Sequence, residues 1–174
     1  MNSPLRIQAA AAIDIPHLNQ LVNSAYRGDA SRRGWTTEAE LLDGIRVDEQ
    51  GLAEMLADPA VTILKAENEE GRLLGCVYLK KQDAKLYLGM LSVAPDQQDR
   101  GLGKQLLAAS EDHARALHCT ALTITVISVR AELIAWYQRH GYAPTGATEP
   151  FPNDPRFGIP RQPLRFIVME KSLR

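Results

Sequence analysis

Apolar positions along the chain change their period near residue 60. Before it the spacing is helical. Ile15, Leu18, Leu21 and Val22 share one face of a helix predicted from Ile15 to about Tyr26, with Asp14 placed to cap it and Pro16 tolerated in its first turn. Thr37 and Glu40 form a capping-box pair for a second helix carrying Leu41, Leu42 and Ile45. Asp48 caps a short third helix holding Leu52, Met55 and Leu56, stopped at Pro59. A short strand, Arg6–Ala10, precedes all three.

From Val61 the period is that of strands. Val61–Glu67, the polar turn Asn68-Glu69-Glu70-Gly71 and Arg72–Lys81 read as a hairpin, and Lys85–Val93 as the next strand. Helical spacing returns at Leu102, Leu106, Ala109, His113 and Leu117. Ala121–Val129, rich in Thr, Ile and Val, suits the centre of a sheet. Ala131–His140 reads as a helix with Gly141 as its stop. Pro144, Pro150, Pro152, Pro155, Pro160 and Pro163 then crowd one stretch. That density predicts a long irregular loop before a last strand, Leu164–Glu170. The sum is one α/β domain over 1–174, a mixed sheet with helices on its faces.

Composition narrows the function classes without naming one. The chain has 174 residues, with 20 Lys+Arg against 21 Asp+Glu and a formal charge of −1, which argues against a nucleic-acid or membrane-surface partner. Cys76 and Cys119 sit far apart in apolar stretches, so no CxxC zinc or redox motif can be written; two buried thiols in a reducing cytoplasm are expected. The N-terminus lacks the apolar core of a signal peptide, and no apolar run approaches a membrane span. His17, His113, His118 and His140 show no ligand spacing, and no metal is expected.

The chemistry lies in Leu91-Ser92-Val93-Ala94-Pro95-Asp96-Gln97-Gln98-Asp99-Arg100-Gly101-Leu102-Gly103-Lys104, which runs from a strand through a loop into a helix N-terminus. Glycines there let a ligand approach the backbone, and first-turn N–H groups carry partial positive charge suited to phosphate. A plain glycine-containing turn is the alternative for so short a motif. A dinucleotide fingerprint would need Gly at Leu106; a P-loop would need Gly at Gln98 and Ser or Thr at Gln105.

Gln98-Asp99-Arg100-Gly101-Leu102-Gly103 resembles the Gln/Arg-x-x-Gly-x-Gly/Ala loop of the GCN5-related N-acetyltransferases (GNAT superfamily). Leu-Ser-Val-Ala-Pro before it, and Ala135-Trp136-Tyr137-Gln138-Arg139-His140-Gly141-Tyr142 after it, resemble that family's strand and Tyr-x-x-x-Gly-Phe/Tyr helix end. The resemblance is firm over 61–143. It implies a single-domain fold with a mostly antiparallel central sheet, splayed parallel strands (here Lys85–Val93 and Ala121–Val129) at the cofactor cleft, and helices on both faces. It implies acetyl-CoA as cosubstrate, with Leu91, Ser92 and Val93 pairing through backbone groups with the pantetheine arm. Gln98, Asp99, Arg100, Gly101, Leu102, Gly103 and Lys104 would hold the pyrophosphate, and a backbone N–H near Leu91 would polarise the thioester. Gly89 suits either the bulge that opens the cleft or simple close packing.

Tyr137 falls where the family places a general acid for the departing thiolate; a ring packed under the sheet is the alternative. Thr125 occupies the position where some members carry a glutamate base. Arg130 stands where many have Asn, and either reaches a CoA phosphate or caps the helix. The proton acceptor for the amine is left open among water chains, Glu38 and Glu40.

The resemblance puts the acceptor site in 14–58 and 144–163, with Tyr26, Trp35 and Phe151 as pocket walls and Glu38 or Glu40 attracting a cationic amine. Arg27, Arg32 and Arg33 would instead favour an acceptor bearing a carboxylate, so its charge stays open. The implied activity is transfer of an acetyl group to a primary amine of a small molecule or peptide, by direct attack in a ternary complex. A non-catalytic acyl-CoA-binding sensor is the alternative. Dimers are common among similar proteins, so a homodimer is compatible with this reading.

Overall fold

The computed structural model describes residues 5–26, 42–43, 46–98, 100–152 and 158–173. Its strands are β1 (Arg6–Ala9), β2 (Leu42–Asp43), β3 (Val61–Glu67), β4 (Leu73–Gln82), β5 (Lys85–Val93), β6 (Ala121–Ile127), β7 (Ala143–Pro150), β8 (Ile159–Pro160) and β9 (Arg165–Ser172). Its α-helices are α1 (Ile15–Tyr26), α2 (Glu49–Ala57), α3 (Leu102–Ala116) and α4 (Ala131–Arg139). Seven strands form one sheet in the order β1-β3-β4-β5-β6-β9-β7, and β2 pairs with β8 apart from it. Every neighbouring pair in the large sheet is antiparallel except β5–β6. Among the described residues no helix is long and apolar enough to cross a membrane.

Both faces of the sheet are covered, because its central strands are apolar at consecutive positions rather than alternate ones. Val77, Leu79, Leu86, Leu88, Leu122 and Ile124 pack with Leu102, Leu106 and Leu107 of α3. Ile63, Cys76 and Met90 pack with Leu18, Leu21 and Val22 of α1 and Leu52 of α2. Cys76 and Cys119 are both buried and unpaired.

Two helix-end predictions hold locally. The Asp48 carboxylate accepts from the Gly51 N–H at 2.6 Å, capping α2. Gly141 turns left-handed at φ +95, and the Tyr142 N–H reaches the Tyr137 carbonyl at 3.1 Å. Asp14 differs. It closes a 3-10 turn, Ala12–Asp14, with its carboxylate accepting from the Ala11 N–H at 2.8 Å and from Lys65 at 2.9 Å.

Two sequence expectations are corrected. Leu42 was expected inside a helix, but Leu42–Asp43 pairs as a strand with Ile159–Pro160; the rest of that predicted helix up to Leu41 lies outside the described residues. The proline-rich stretch is not a continuous loop: 143–150 is a strand on β9. Proline is tolerated because β7 is the last strand of the sheet, where one side needs no donors, and its register breaks between Pro144 and Thr148.

Candidate active site

The site begins where two parallel strands part. β5 and β6 pair only from Lys85↔Ala121 to Tyr87↔Thr123; beyond that β6 stays with β9 through Ile127 while β5 stays with β4 through Val93. The cause is a bulge. Tyr78 pairs with Gly89 and Cys76 with Ser92, so Met90 and Leu91 together face Val77. Met90 takes the left-handed conformation, φ 51. The extra residue reverses the alternation of the strand: Leu86 and Leu88 point to the α3 face, Met90 to the α1 face, and Leu91 to the α3 face again. The bulge therefore lies just past Gly89. Gly89 serves close packing instead, since a Cβ there would meet Cε1 of Tyr87 at 3.0 Å.

Two cavities open into the gap. The smaller, about 250 Å³, is walled by Val93, Gln98, Gly101, Gly103, Lys104 and Trp136 among others. It lies at the N-terminus of α3, a fifteen-residue helix whose N-cap, Gly101, is left-handed at φ 80 and offers no side-chain cap. Its first-turn N–H groups are therefore available to an anion. The larger cavity, about 460 Å³, is walled mainly by β5, β6 and the end of β7, with Tyr78, Tyr87, Phe151 and Phe166 as aromatic surface. Tyr26, Leu91, Leu133 and Tyr137 line both cavities, so the two spaces meet at the bulge.

Hydrogen bonds hold that junction. The Tyr26 hydroxyl donates to the Leu91 carbonyl from sixty-five residues away in sequence. Ser92 Oγ donates to the Met90 carbonyl at 3.0 Å, and Gln98 Nε2 to the Val93 carbonyl at 3.1 Å. Tyr137 is 6% exposed, with its ring edge-on to Trp136 and Tyr142. Burial holds its phenol well above the ordinary tyrosine value, Tyr26 and Tyr142 push the same way, and only the Arg130 charge opposes them. Tyr137 is thus a protonated donor at neutral pH.

The sequence-predicted residues divide as follows. Leu91, Val93, Gln98, Gly101, Leu102, Gly103 and Lys104 line the smaller cavity. Ser92 is 1% exposed and turned into the bulge, and Arg100 is exposed and off the wall. Arg130 lines the larger cavity, beside the start of α4. Asp99, Trp35, Glu38 and Glu40 lie outside the described residues. Thr125 lies 3.0 Å from the Tyr87 hydroxyl through its Oγ1, both on the larger cavity.

Sequence reasoning missed Arg46, Tyr78, Tyr87, Glu149 and Phe166 on that wall. Glu149, the one carboxylate among the described lining residues, sits in the stretch whose prolines signalled a loop. Tyr87 had a weak signal: a glycine two residues on, on the same strand face, leaves room for a large ring. Among the described residues no three His, Cys, Asp or Glu side chains gather to hold a metal.

The fold has known counterparts. The sequence profile of the acetyltransferase (GNAT) family matches residues 20–142. A mycothiol acetyltransferase of Clavibacter michiganensis subsp. michiganensis (strain NCPPB 382) is 35% identical over 91 residues, 52% of this chain and 29% of that protein. An IAA acetyltransferase of Azospirillum brasilense is 28% identical over 113 residues, 64% of this chain and 73% of that one. The match with the mycothiol enzyme thus spans under a third of its length. The structure of YncA from Salmonella typhimurium, solved with acetyl-CoA, superposes with a TM-score of 0.70 at 20% identity, covering 99% of this chain and 95% of that one. The chain belongs to the acetyltransferase (GNAT) family.

Proposed function

We propose that this family member is an acetyl-CoA-dependent N-acetyltransferase that moves an acetyl group to a primary amine by direct attack within a ternary complex. The observation that carries the reading is the meeting of two cavities at Tyr26, Leu91, Leu133 and Tyr137. One has the makings of a pyrophosphate and pantetheine site; the other has the width and aromatic surface of an acceptor site.

The residues divide the work. Asp99 to Lys104, with the α3 N-terminus, hold the pyrophosphate, and Leu91 to Val93 guide the pantetheine arm along β5. The thioester supplies an activated acetyl group and a thiol leaving group. A backbone N–H at the bulge faces the carbonyl oxygen as negative charge grows there, a contact worth about 3–4 kcal/mol in other enzymes. The acceptor ammonium loses a proton to Glu149, directly or through water, and its lone pair forms the C–N bond. As the C–S bond breaks, the Tyr137 phenol delivers its proton to the departing sulfur, and the phenolate recovers a proton from the second N–H that the attacking nitrogen must lose to become an amide. The products are the N-acetylated amine and free CoA.

A sensor that binds acyl-CoA without turnover is the rival, favoured by the hydroxyl of Thr125 where a carboxylate would stand. Calorimetry with acetyl-CoA and thiol release across a panel of amines separate the two. Binding with amine-dependent release supports the transferase; binding without release supports the sensor; no binding removes both.

A further inference from the structure

We infer that the larger cavity selects an acceptor carrying a carboxylate near its amine, with the Arg46 guanidinium as the anion's partner. The inference rests on the N-acetyltransferase reading only for the amine; the anion site stands on its own residues.

The backbone at Arg46 is held in place before any ligand arrives. The Asn23 side chain of α1 grips the backbone at this point: Oδ1 accepts from the Arg46 N–H at 2.6 Å and from the Val47 N–H at 3.3 Å, while Nδ2 donates to the Val47 carbonyl at 2.9 Å. Asn23 Nδ2 also donates to Asn19 at 3.0 Å, so the clamp is anchored on the helix. The Arg46 guanidinium then stands 5.8 Å from the centre of the Tyr26 ring, on the cavity wall. It is half-buried, and no carboxylate among the described residues lies within ion-pair distance. Its charge is felt inward as far as the buried Cys76 thiol.

A guanidinium on a pocket wall with no anionic partner among the described residues loses hydration that a ligand anion restores. That anion is not a CoA phosphate. Arg46 lies off the smaller cavity, where the α3 N-terminus and Lys104 already serve that purpose. The described wall of the larger cavity carries two guanidiniums, Arg46 and Arg130, against the single carboxylate of Glu149. A polycationic acceptor would meet repulsion at Arg46. A zwitterion fits: its carboxylate on Arg46, its amine toward Glu149 and the Leu91–Tyr137 junction, and an apolar side chain against Tyr78, Phe151 and Phe166. The class indicated is a small amino acid or its close analogue.

The test uses matched pairs: L-phenylalanine with 2-phenylethylamine, L-leucine with isoamylamine, and L-methionine with 3-methylthiopropylamine. Thiol release from acetyl-CoA is measured for wild type, R46Q and R46K. Wild type is expected to favour at least one acid over its amine by roughly tenfold or more in kcat/KM, and R46Q to erase that preference through KM. R46K should recover part of it, because the charge returns without the planar fork. Acetyl-CoA affinity by calorimetry, unchanged in both variants, checks folding.

Preference for the decarboxylated amines, or an equal loss in R46Q for both series, overturns the proposal. If no amine is turned over, calorimetry of N-acetyl-L-phenylalanine with the CoA-loaded protein decides. Binding lost in R46Q keeps the anion site while the transferase reading falls; no binding by wild type removes the site.

Discussion

Replacing Tyr26 by Phe deletes one oxygen from the point where the two cavities meet and leaves the ring, and with it the Arg46 contact, in place. The oxygen lost is the donor to the Leu91 carbonyl, in a residue 8% exposed. Leaving a buried acceptor without its donor costs about 1–3 kcal/mol. Here the lower half applies. The Leu91 carbonyl borders cavities of about 250 and 460 Å³, and either admits a replacement water, which occupies about 30 Å³. A loss of about 1–1.5 kcal/mol lowers the Tm of a domain this size by about 2–6 °C.

The functional loss should exceed the structural one. Tyr26 ties α1 to the bulge, so without its hydroxyl the Leu91–Val93 backbone is free to shift by tenths of an ångström. A misplacement of about 1 Å at a reacting geometry costs roughly a hundredfold, so a fall of roughly tenfold in kcat is expected. Thermal unfolding by circular dichroism and thiol release with a turned-over amine read the two effects separately. A Y26F variant with wild-type Tm and wild-type kcat would refute the tie; an altered Tm with wild-type kcat would make it structural only.

Tyr137→Phe is expected to lower kcat by roughly 10²-fold while acetyl-CoA affinity by calorimetry stays within about twofold; unchanged turnover removes Tyr137 as the acid. Glu149→Gln should reduce kcat/KM for the amine most steeply at neutral pH, where the acceptor is an ammonium. The loss should shrink at high pH, where the amine is already neutral, so a uniform loss across the pH profile would argue for positioning alone. Gly103→Val should weaken acetyl-CoA binding by roughly tenfold, because a Cβ there already stands 3.2 Å from Cζ2 of Trp136 and its methyls must enter the smaller cavity; unaltered affinity would misassign the loop. Burial pushes the Cys76 thiol from 9.0 up to about 12. The fold therefore keeps a proton that the unfolded chain releases above about pH 9, and this contribution is complete below pH 9 and lost as pH rises toward 12. The urea midpoint should fall across that window, less steeply in Cys76→Ala, and equal slopes would exclude Cys76 as a source.

How legible the molecule was in its sequence depended on the range of the interaction. Strands β3 to β6 and helices α1 to α4 were visible because periodicity, a capping Asp or a stopping Gly is a local property of the chain. The Gly-rich loop was visible for the same reason: a turn into an uncapped helix N-terminus is built from contiguous backbone. The proline stretch misled because propensity alone does not say that a segment lies at the edge of a sheet, where missing donors go unnoticed. Asp14 misled in a similar way, since a nearby Lys65 from β3 competes for its carboxylate.

By itself, then, the sequence determined the order of elements from β3 to α4, the apolar faces that force helices onto both sides of the sheet, and the glycine-containing turn into α3. Tertiary structure alone decided where the strands part, because the bulge is a mismatch in count between β4 and β5 and neither strand carries it alone. It also decided the wall of the larger cavity. Arg46, Tyr87, Glu149 and Phe166 come from four separated segments, and only sheet order and the Asn23 clamp bring their side chains around one space. Local chemistry can be read along a chain; a pocket assembled across it requires the fold.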